Sequence, residues 1–425
     1  MKFAPPRGMR DFYPEDLRRR NALFDAWRNA ALKYGFEEYD APVVETEELL
    51  IRKGGEEIVN QIYSFADKSG RRLALRPEMT PSLARIVIDR QKMLTLPLKW
   101  FSIPQCFRYE RMTKGRKREH YQWNLDIVGE EGLLAEVEVL GAAITALQSL
   151  GLTHQHFQVR IGSRAILADL YRSLGLTADK FMAVCLVLDK MEKIPPEVTH
   201  QMLTDEGFSD AEIQKVLSLM SIKTIADVEA QLGGATENTR DVNELLALMK
   251  ASGLAEYIVY DISIIRGLSY YTGIVFEAFD TNRKFRAIFG GGRYDNLLSS
   301  LGGESLPCVG LGFGDVVVQE LLADLGKFQD DSQTLDFAVG FMTENERPFA
   351  IQTATLLRNR DYQVSLSLKS ERAKKFFNQA NRSGAHYAIY LGPDEAAQQL
   401  VGIKDLRKGE QKHLPLNDLK NETFA

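Results

Sequence analysis

The densest charge in the sequence is a short basic run between two β-like segments. Residues 108–118 hold one acid, Glu110, and six basic side chains: Arg108, Arg111, Lys114, Arg116, Lys117 and Arg118. A charge run is usually a solvated turn, but here it follows a strand-like segment that would place Arg108 on the face of a sheet. Because arginine stays charged and holds phosphate with a planar fork, the pattern favours a phosphate-rich ligand.

The segment after this loop, HYQWNLDIVG, alternates polar and apolar side chains. Successive side chains of a strand point to opposite faces, so Gln122, Asn124 and Asp126 are predicted to share one face. The same alternation over Arg72–Thr80 adds Glu78 to a polar face. Antiparallel sheets often have one solvated face, and the alternation alone leaves that interpretation open.

Two glycine-containing segments add candidates for ligand contact. RGLSYYTGIVFEAF places Arg266 before a strand that carries Tyr271, although adjacent tyrosines are more often packing residues. FGGGRYDNLL has three glycines, residues 290–292, that suit either a backbone pressed against a nucleotide or a tight turn. Neither segment matches a P-loop or a Rossmann fingerprint. If ATP binds, the sequence predicts that it lies on an antiparallel sheet.

Composition narrows the class of protein. The chain has 425 residues, 44% hydrophobic and 26% charged, which suits two or three soluble domains. No apolar run approaches the roughly 20 residues of a membrane helix, and no secretory or transit segment begins the chain, so a cytoplasmic location is expected. The three cysteines, Cys106, Cys185 and Cys308, lack zinc-site spacing. Because the net charge is -5, RNA binding would depend on local basic patches.

The pattern of elements predicts an α+β fold in two parts. Residues 1–326 read as an antiparallel β-sheet domain, interrupted by a helical insertion at about 163–256. Residues 327–334 read as a linker. Residues 335–425 alternate strand and helix, which is typical of a small α/β domain.

In this order the segments resemble class II aminoacyl-tRNA synthetases, and specifically the histidyl-tRNA synthetase family. The resemblance covers nearly the whole chain. It is carried by RGMRDFYPED, KYGFEEYDAPVVETEELLIRKGGE, RPEMTPSLAR, FRYERMTKGRKREHYQWNLDIVG, RGLSYYTGIVFE, GGGRYD and the C-terminal VGIKDLRKGEQ. It implies a class II synthetase-like antiparallel catalytic domain and a C-terminal α/β anticodon-binding domain.

The resemblance also implies an activity and its partners. The family joins histidine to the 3′ end of histidine tRNA through histidyl-adenylate, using ATP with Mg²⁺ and no organic cofactor, as a homodimer. Carboxylate attack on the α-phosphorus brings anions together, and fixed arginines can offset that repulsion. No protein side chain is confidently assigned as a metal ligand.

Residue roles follow from the resemblance by position. Arg108 and Arg266 are implied to be the catalytic arginines, which also bind ATP together with Glu110 and Arg116. The implied histidine-binding residues are Glu78, Thr80, Gln122, Asp126, Tyr271 and Tyr294. The implied tRNA contacts are Arg7, Arg116 and Arg118.

Three positions depart from the family pattern. Ser269 stands where aspartate is common, and Asp126 is shorter than the glutamate of many bacterial members. More seriously, Gly314–Val317 aligns with the motif-3 ending Gly-Leu-Glu-Arg, so the arginine expected at the ATP γ-phosphate is missing. We expect Arg116, Arg293 or bound magnesium to replace that contact.

A second hypothesis is a histidine-binding regulatory subunit of ATP phosphoribosyltransferase, related to synthetases but charging no tRNA. The missing motif-3 arginine favours it. Such regulators generally lack the C-terminal domain and the motif-2 residues, and this chain has both. The synthetase is therefore the preferred interpretation.

Overall fold

The computed structural model of the protein describes residues 3–52, 60–113, 115–191, 194–265, 270–328 and 335–424. The chain divides into two compact units, residues 1–328 and 329–425. Among the described residues, no helix is both long and apolar enough to cross a bilayer.

A large twisted sheet forms the centre of the first unit. Its strands are β1 Glu37–Glu38, β5 Leu98–Ser102, β6 Gln105–Phe107, β7 Glu119–Val128, β8 Phe157–Ser163, β9 Ile258–Tyr260, β10 Ile274–Asp280, β11 Phe289–Arg293 and β12 Cys308–Gly314. Their order is β1-β5-β7-β12-β11-β10-β8-β9, with β6 also paired to β7. The six central strands, β5 to β8 along this order, pair antiparallel. A separate three-stranded sheet contains β2 Val44–Thr46, β3 Tyr63–Ala66 and β4 Arg72–Leu75.

Most helices of the first unit cover the sheet on the side of the main core, whereas Thr80–Arg90 and Leu297–Ser300 pack in a separate apolar cluster with Val128 and Tyr294. The helices of this unit are α1 Pro14–Lys33, α2 Thr80–Arg90, α3 Leu134–Ser149, α4 Arg164–Ser173, α5 Phe181–Met191, α6 Pro196–Asp205, α7 Asp210–Ser218, α8 Ile225–Leu232, α9 Glu237–Ala251, α10 Leu297–Ser300 and α11 Asp315–Asp324. Trp27 of α1 stacks on Trp123 of β7, with ring centroids 6.0 Å apart. Helices α4 to α9 lie between β8 and β9, where the sequence predicts a helical insertion.

The alternation predicted for residues 120–129 is confirmed. Trp123 and Leu125 of β7 are fully buried in the main core. Their neighbours along the strand therefore point to the other face of the sheet, where the candidate site lies.

Two local predictions are wrong. The strand predicted over Arg72–Thr80 ends at Leu75, and Thr80 begins α2 instead. The tight turn offered as one alternative for residues 290–292 is also wrong, because the glycine triplet lies inside β11 Phe289–Arg293. Because glycine weakens a strand interior, a sequence pattern rarely predicts such a strand.

The second unit is a mixed α/β domain. Its sheet has the order β14-β13-β15-β16-β17. The strands are β13 Phe337–Phe341, β14 Val364–Leu366, β15 Tyr387–Leu391, β16 Leu400–Asp405 and β17 Gln411–Pro415, and the helices are α12 Arg347–Arg358, α13 Ala373–Arg382 and α14 Pro393–Gln398. β13 pairs in parallel with β14 and β15, whereas β16 and β17 continue the sheet antiparallel.

Candidate functional site

An open cleft of about 930 Å³ lies over the polar face of the large sheet. Its floor includes Gly290, Gly312 and Gly314, at which β11 and β12 present bare backbone. Basic side chains dominate its walls: Arg108, Arg116, Lys117, Arg283, Lys284 and Arg286. A cleft with this floor and these walls can accept a large anionic ligand.

Arg108 lies where β6 ends and the basic loop begins. Its Nε donates a hydrogen bond of 2.9 Å to the carbonyl of Pro77, which directly precedes Glu78. This contact joins the loop to the segment that carries Glu78 and Thr80, which are 6% and 8% exposed. The structure therefore brings one predicted phosphate ligand close to two predicted amino-acid ligands.

The basic loop folds back on itself and on α11. Arg116 forms an ion pair of 2.6 Å with Glu110, and both residues line the cleft. At the loop tip the backbone N–H of Gly115 donates to Oε1 of Glu320 on α11 over 3.1 Å. These contacts hold the loop against the helix that begins with the motif-3-like residues.

The N-terminal segment lies beside the same loop. The backbone N–H of Arg118 donates to the carbonyl of Gly8 over 2.9 Å, and the Arg118 guanidinium lies 3.9 Å from the ring centroid of Tyr109. Arg7, next to Gly8, is exposed. The predicted tRNA contacts Arg7 and Arg118 thus lie near each other at the rim of the site.

Asp126 and Tyr294 form a buried polar pair on the same face of the sheet. The Tyr294 hydroxyl donates to Oδ1 of Asp126 over 2.5 Å. Burial, and then the Asp126 charge, raises the pKa of Tyr294 well above its ordinary value, so the phenol keeps its proton. Tyr271 packs with Tyr294 in one apolar cluster, which also includes Leu83 of α2.

Glycines of β12 make room for the polar side chains of β7. A Cβ at Gly310 would lie 1.9 Å from Oδ1 of Asp126, and one at Gly312 would lie 2.5 Å from Nε2 of Gln122. Gln122 also donates to Asn124 over 3.0 Å. The polar groups of β7 therefore lie across the backbone of β12, which only glycine allows at these two positions.

His120 is a cleft residue that the sequence interpretation missed. It follows the basic loop on β7 and its Nε2 lies 3.4 Å from Oε1 of Gln122. Burial, and then the charge of Arg108, lowers the pKa of His120 to about 3. The imidazole is therefore neutral at physiological pH and cannot add a positive charge to the cleft.

Tyr39 and Arg286 are two further residues that the sequence interpretation missed. Tyr39 packs on Trp100 at 5.6 Å between ring centroids, and burial followed by the Asp126 carboxylate raises the pKa of its phenol. Arg286 precedes β11 on the cleft wall. Tyr39 lies in the segment KYGFEEYDAPVVETEELLIRKGGE, which carries part of the family resemblance, but no role was assigned to it there. Arg286 lies outside the segments that carry the resemblance, and single-residue signals outside motifs are hard to detect from one sequence.

Arg293 is wrong as a candidate for the γ-phosphate contact. Its guanidinium forms an ion pair of 2.8 Å with Glu136, a carboxylate with no exposed surface. It also donates to the carbonyls of Glu130 and Gly132. An arginine with these buried partners is held away from the cleft. Arg266, Ser269 and Lys114 lie outside the described residues.

Asp315, at the second motif-3-like position, has a structural role. Arg10 forms ion pairs of 2.6 Å with Glu119 and 3.0 Å with Asp315, whose side chains are 2% and 0% exposed. Asp315 also accepts from the backbone N–H of Tyr121 over 3.0 Å. The N-terminal segment is thereby tied to the start of β7 and of α11.

Within the described residues, no group of three or more metal-ligating side chains was found.

The antiparallel sheet, its glycine-lined face and the basic loop above it define the class II aminoacyl-tRNA synthetase fold. Solved structures support this class: the histidyl-tRNA synthetase of Nostoc sp. PCC 7120 superposes with a TM-score of 0.81 at 24% identity, covering 99% of each chain. Apo histidyl-tRNA synthetase of S. aureus gives a TM-score of 0.76 at 23% identity, again covering 99% of each chain.

Sequence comparison identifies the family. Residues 8–314 match the histidyl-tRNA synthetase model, and residues 336–423 match the anticodon-binding domain model. The chain is 45% identical to the chloroplastic/mitochondrial histidine–tRNA ligase of Arabidopsis thaliana, covering 98% of this chain and 86% of the relative. It is 41% identical to the histidine–tRNA ligase of Opitutus terrae, covering 96% and 95%. The chain belongs to the histidyl-tRNA synthetase family.

Proposed function

We propose that this protein is a histidine–tRNA ligase that activates histidine with ATP and transfers it to histidine tRNA. The observation that carries the proposal is the meeting of two kinds of group on one sheet face. Phosphate-binding arginines line the cleft, and a buried carboxylate–phenol pair, Asp126 and Tyr294, suits an imidazole.

The ATP end of the proposed site is the basic cleft. Arg108 would bind the α-phosphate, and Arg116 would contact the other phosphates on leaving its ion pair with Glu110. Arg266 would bridge the α-phosphate and the histidine carboxylate. Fixed cations favour the reaction because negative charge accumulates as the carboxylate attacks and pyrophosphate leaves.

The histidine-binding part of the site would contact both the α-amino group and the imidazole of the amino acid. Glu78, Thr80 and Gln122 would hold the α-amino group, since a buried carboxylate supplies the opposite charge. A neutral imidazole has one donor and one acceptor, which Asp126 and a tyrosine hydroxyl can match. Tyr271 and Tyr294 would enclose the ring.

Magnesium would enter with ATP. Glu110 and Glu277 both line the cleft, and Mg²⁺ is usually held by one or two carboxylates together with substrate phosphates. The carboxylate chemistry of the cleft therefore fits the ion, which would neutralise phosphate charge during adenylate formation.

Transfer to tRNA would use the rim of the cleft and the second unit. Arg7, Arg116 and Arg118 are proposed contacts for the acceptor end. The anticodon-binding domain at residues 336–423 would hold the distant end of the tRNA. A cytoplasmic location stays a prediction. So does a homodimer through the motif-1-like segment KYGFEEYDAPVVETEELLIRKGGE, in which Val43 and Val44 expose 41% and 38% of their surface.

The regulatory-subunit hypothesis has less support. One solved neighbour carries the double description of ATP phosphoribosyltransferase regulatory subunit and histidyl-tRNA synthetase, but at 22% identity it shows only the fold. The anticodon-binding domain and the basic cleft both favour a ligase.

The test is amino-acid-dependent pyrophosphate exchange, measured with each amino acid in turn, followed by charging of histidine tRNA. We expect pyrophosphate exchange with histidine and with no other amino acid, followed by transfer of histidine to that tRNA. Histidine binding without exchange would contradict the ligase and favour the regulator. Deleting residues 336–425 should weaken charging far more than exchange.

A further inference from the structure

The cleft lacks a cation at the position that motif 3 would supply. Val317, in the first turn of α11, aligns with the missing arginine and lines the cleft with an apolar side chain. An aliphatic side chain offers phosphate neither charge nor a hydrogen-bond donor. Another group must therefore compensate the charge at the far end of the triphosphate.

Arg286 approaches the same place from the opposite wall. A Cβ placed on Gly115 at the loop tip would lie 3.4 Å from Cγ2 of Val317 and 3.7 Å from Cδ of Arg286. The two side chains therefore flank one point of the basic loop. Gly115 is fixed there by its hydrogen bond to Glu320 on α11.

Three other basic residues of the cleft are already paired with carboxylates. Arg116 pairs with Glu110, Lys284 pairs with Asp324, and Arg283 lies within 4.0 Å of Asp261. In the part of the chain that the structure describes, no ion pair or hydrogen bond involves Arg286. Burial, and then the charge of Arg116, lowers the pKa of Arg286.

We propose that Arg286 replaces the missing motif-3 arginine and binds the terminal phosphates of ATP and the leaving pyrophosphate. Val317 leaves room for the aliphatic part of Arg286, whereas an arginine at position 317 would place a second positive charge beside it. The phosphate-binding cation of this chain therefore lies in the connection between β10 and β11, and not at the start of α11 where motif 3 would supply it. The inference rests on the proposed function only in taking ATP as the occupant of the cleft.

The test compares Arg286→Gln with Arg172→Gln, a control that removes the same charge from an exposed pair with Asp169 on α4. Dissociation constants for ATP, pyrophosphate and AMP are measured by calorimetry on the full chain, without histidine or tRNA. We expect Arg286→Gln to weaken ATP and pyrophosphate binding about 10- to 100-fold, the range for a charged hydrogen bond, and to leave AMP binding unchanged. The double variant R286Q/V317R should recover part of the ATP affinity.

Thermal unfolding of each variant shows whether it is folded. AMP binding is a second control, because a folding defect would weaken AMP binding as well. Equal weakening of ATP and AMP binding, or unchanged ATP affinity in Arg286→Gln, would overturn the assignment. The two proposals fail separately. A chain that binds ATP through Arg286 but shows no histidine-dependent exchange would contradict only the ligase activity. Normal exchange and normal ATP affinity in Arg286→Gln would contradict only the role of Arg286.

Discussion

The hydroxyl of Tyr294, at the end of β11, donates a 2.5 Å hydrogen bond to the carboxylate of Asp126 on β7, two strands away across β12. The bond orients a carboxylate that is only 2% exposed. It leaves Asp126 in a fixed position to accept a hydrogen bond from the N–H of a ligand such as imidazole. Because an aspartate side chain is short, its reach toward a ligand depends on this orientation.

Removing this hydroxyl tests the orientation directly. Tyr294→Phe should raise the KM for histidine about 10-fold, because one charge-assisted hydrogen bond contributes on the order of 1.5–3 kcal/mol. The KM for ATP should change much less, since Tyr294 belongs to the apolar cluster with Tyr271 rather than to the basic cleft. Pyrophosphate exchange with each substrate varied separately measures both. Equal increases in the two constants would mean that Tyr294 supports the whole site.

The glycines of β12 allow a comparison within one strand. Gly310→Ala would place a Cβ 1.9 Å from Oδ1 of Asp126, so it should displace the carboxylate and reduce kcat/KM for histidine by at least about 100-fold. Gly314→Ala is the comparison at the ATP end of the same strand: a Cβ there meets no protein atom within 4 Å, so kcat/KM for histidine at saturating ATP should stay near normal, although the residue lies on the cleft floor. Similar losses in both variants would show that any side chain on β12 is harmful, whatever its distance from Asp126.

The buried cluster around Arg10 predicts a large effect on stability. Arg10→Met would leave Glu119 and Asp315 buried without their cation, so the free energy of unfolding at pH 7.5 should fall by about 3 kcal/mol or more. Urea unfolding measures this change. The double variant R10M/D315N should recover part of the loss, and an additive result would mean that the pair is not coupled.

The pH dependence of the Arg10 effect follows from the direction of the Asp315 shift. Burial raises the pKa of Asp315 above its unfolded value even with Arg10 present, and loss of Arg10 should raise it further. A carboxyl with a raised folded pKa gains stability as the pH falls through that pKa towards about 4. The difference between wild type and Arg10→Met should therefore be largest near neutrality and shrink in acid.

His120 predicts a pH effect of the opposite sign. Its pKa falls to about 3 in the folded chain, while the unfolded histidine titrates near 6.5. The unfolded state therefore binds one more proton between these values, and stability decreases as the pH falls below about 6.5. This residue can contribute up to about 1.4 kcal/mol per pH unit in that window. His120→Asn should flatten the decrease measured by urea unfolding between pH 7 and 5, and an unchanged slope would contradict the burial of the ring.

How much could be predicted from the sequence depended on the kind of signal. The face of β7 followed from alternation alone, since Trp123 and Leu125 can be buried only if Asp126 points the other way. The strand β11 was missed because glycine carries no apolar signal. The sequence could not show that Arg293 is unsuitable for a phosphate contact and that Arg286 is available. Arg293 is unsuitable because it pairs with Glu136, a buried carboxylate that lies far away in the sequence.

The second unit offers a test of tRNA binding with a control on the helix that packs on the opposite face of its sheet. Lys374 and Arg382 are exposed on or at the end of α13, and in the family the domain contacts tRNA. Phosphate contacts release counterions, so each one lost should reduce the slope of log affinity against log salt by about 1. The double variant K374Q/R382Q should therefore weaken tRNA binding and flatten its salt dependence, while histidine-dependent pyrophosphate exchange stays normal. The matched control is R347Q/R358Q on α12, which removes the same charge. Equal weakening by both pairs would mean that the domain attracts tRNA through its total charge, and the proposed contact surface on α13 would be wrong.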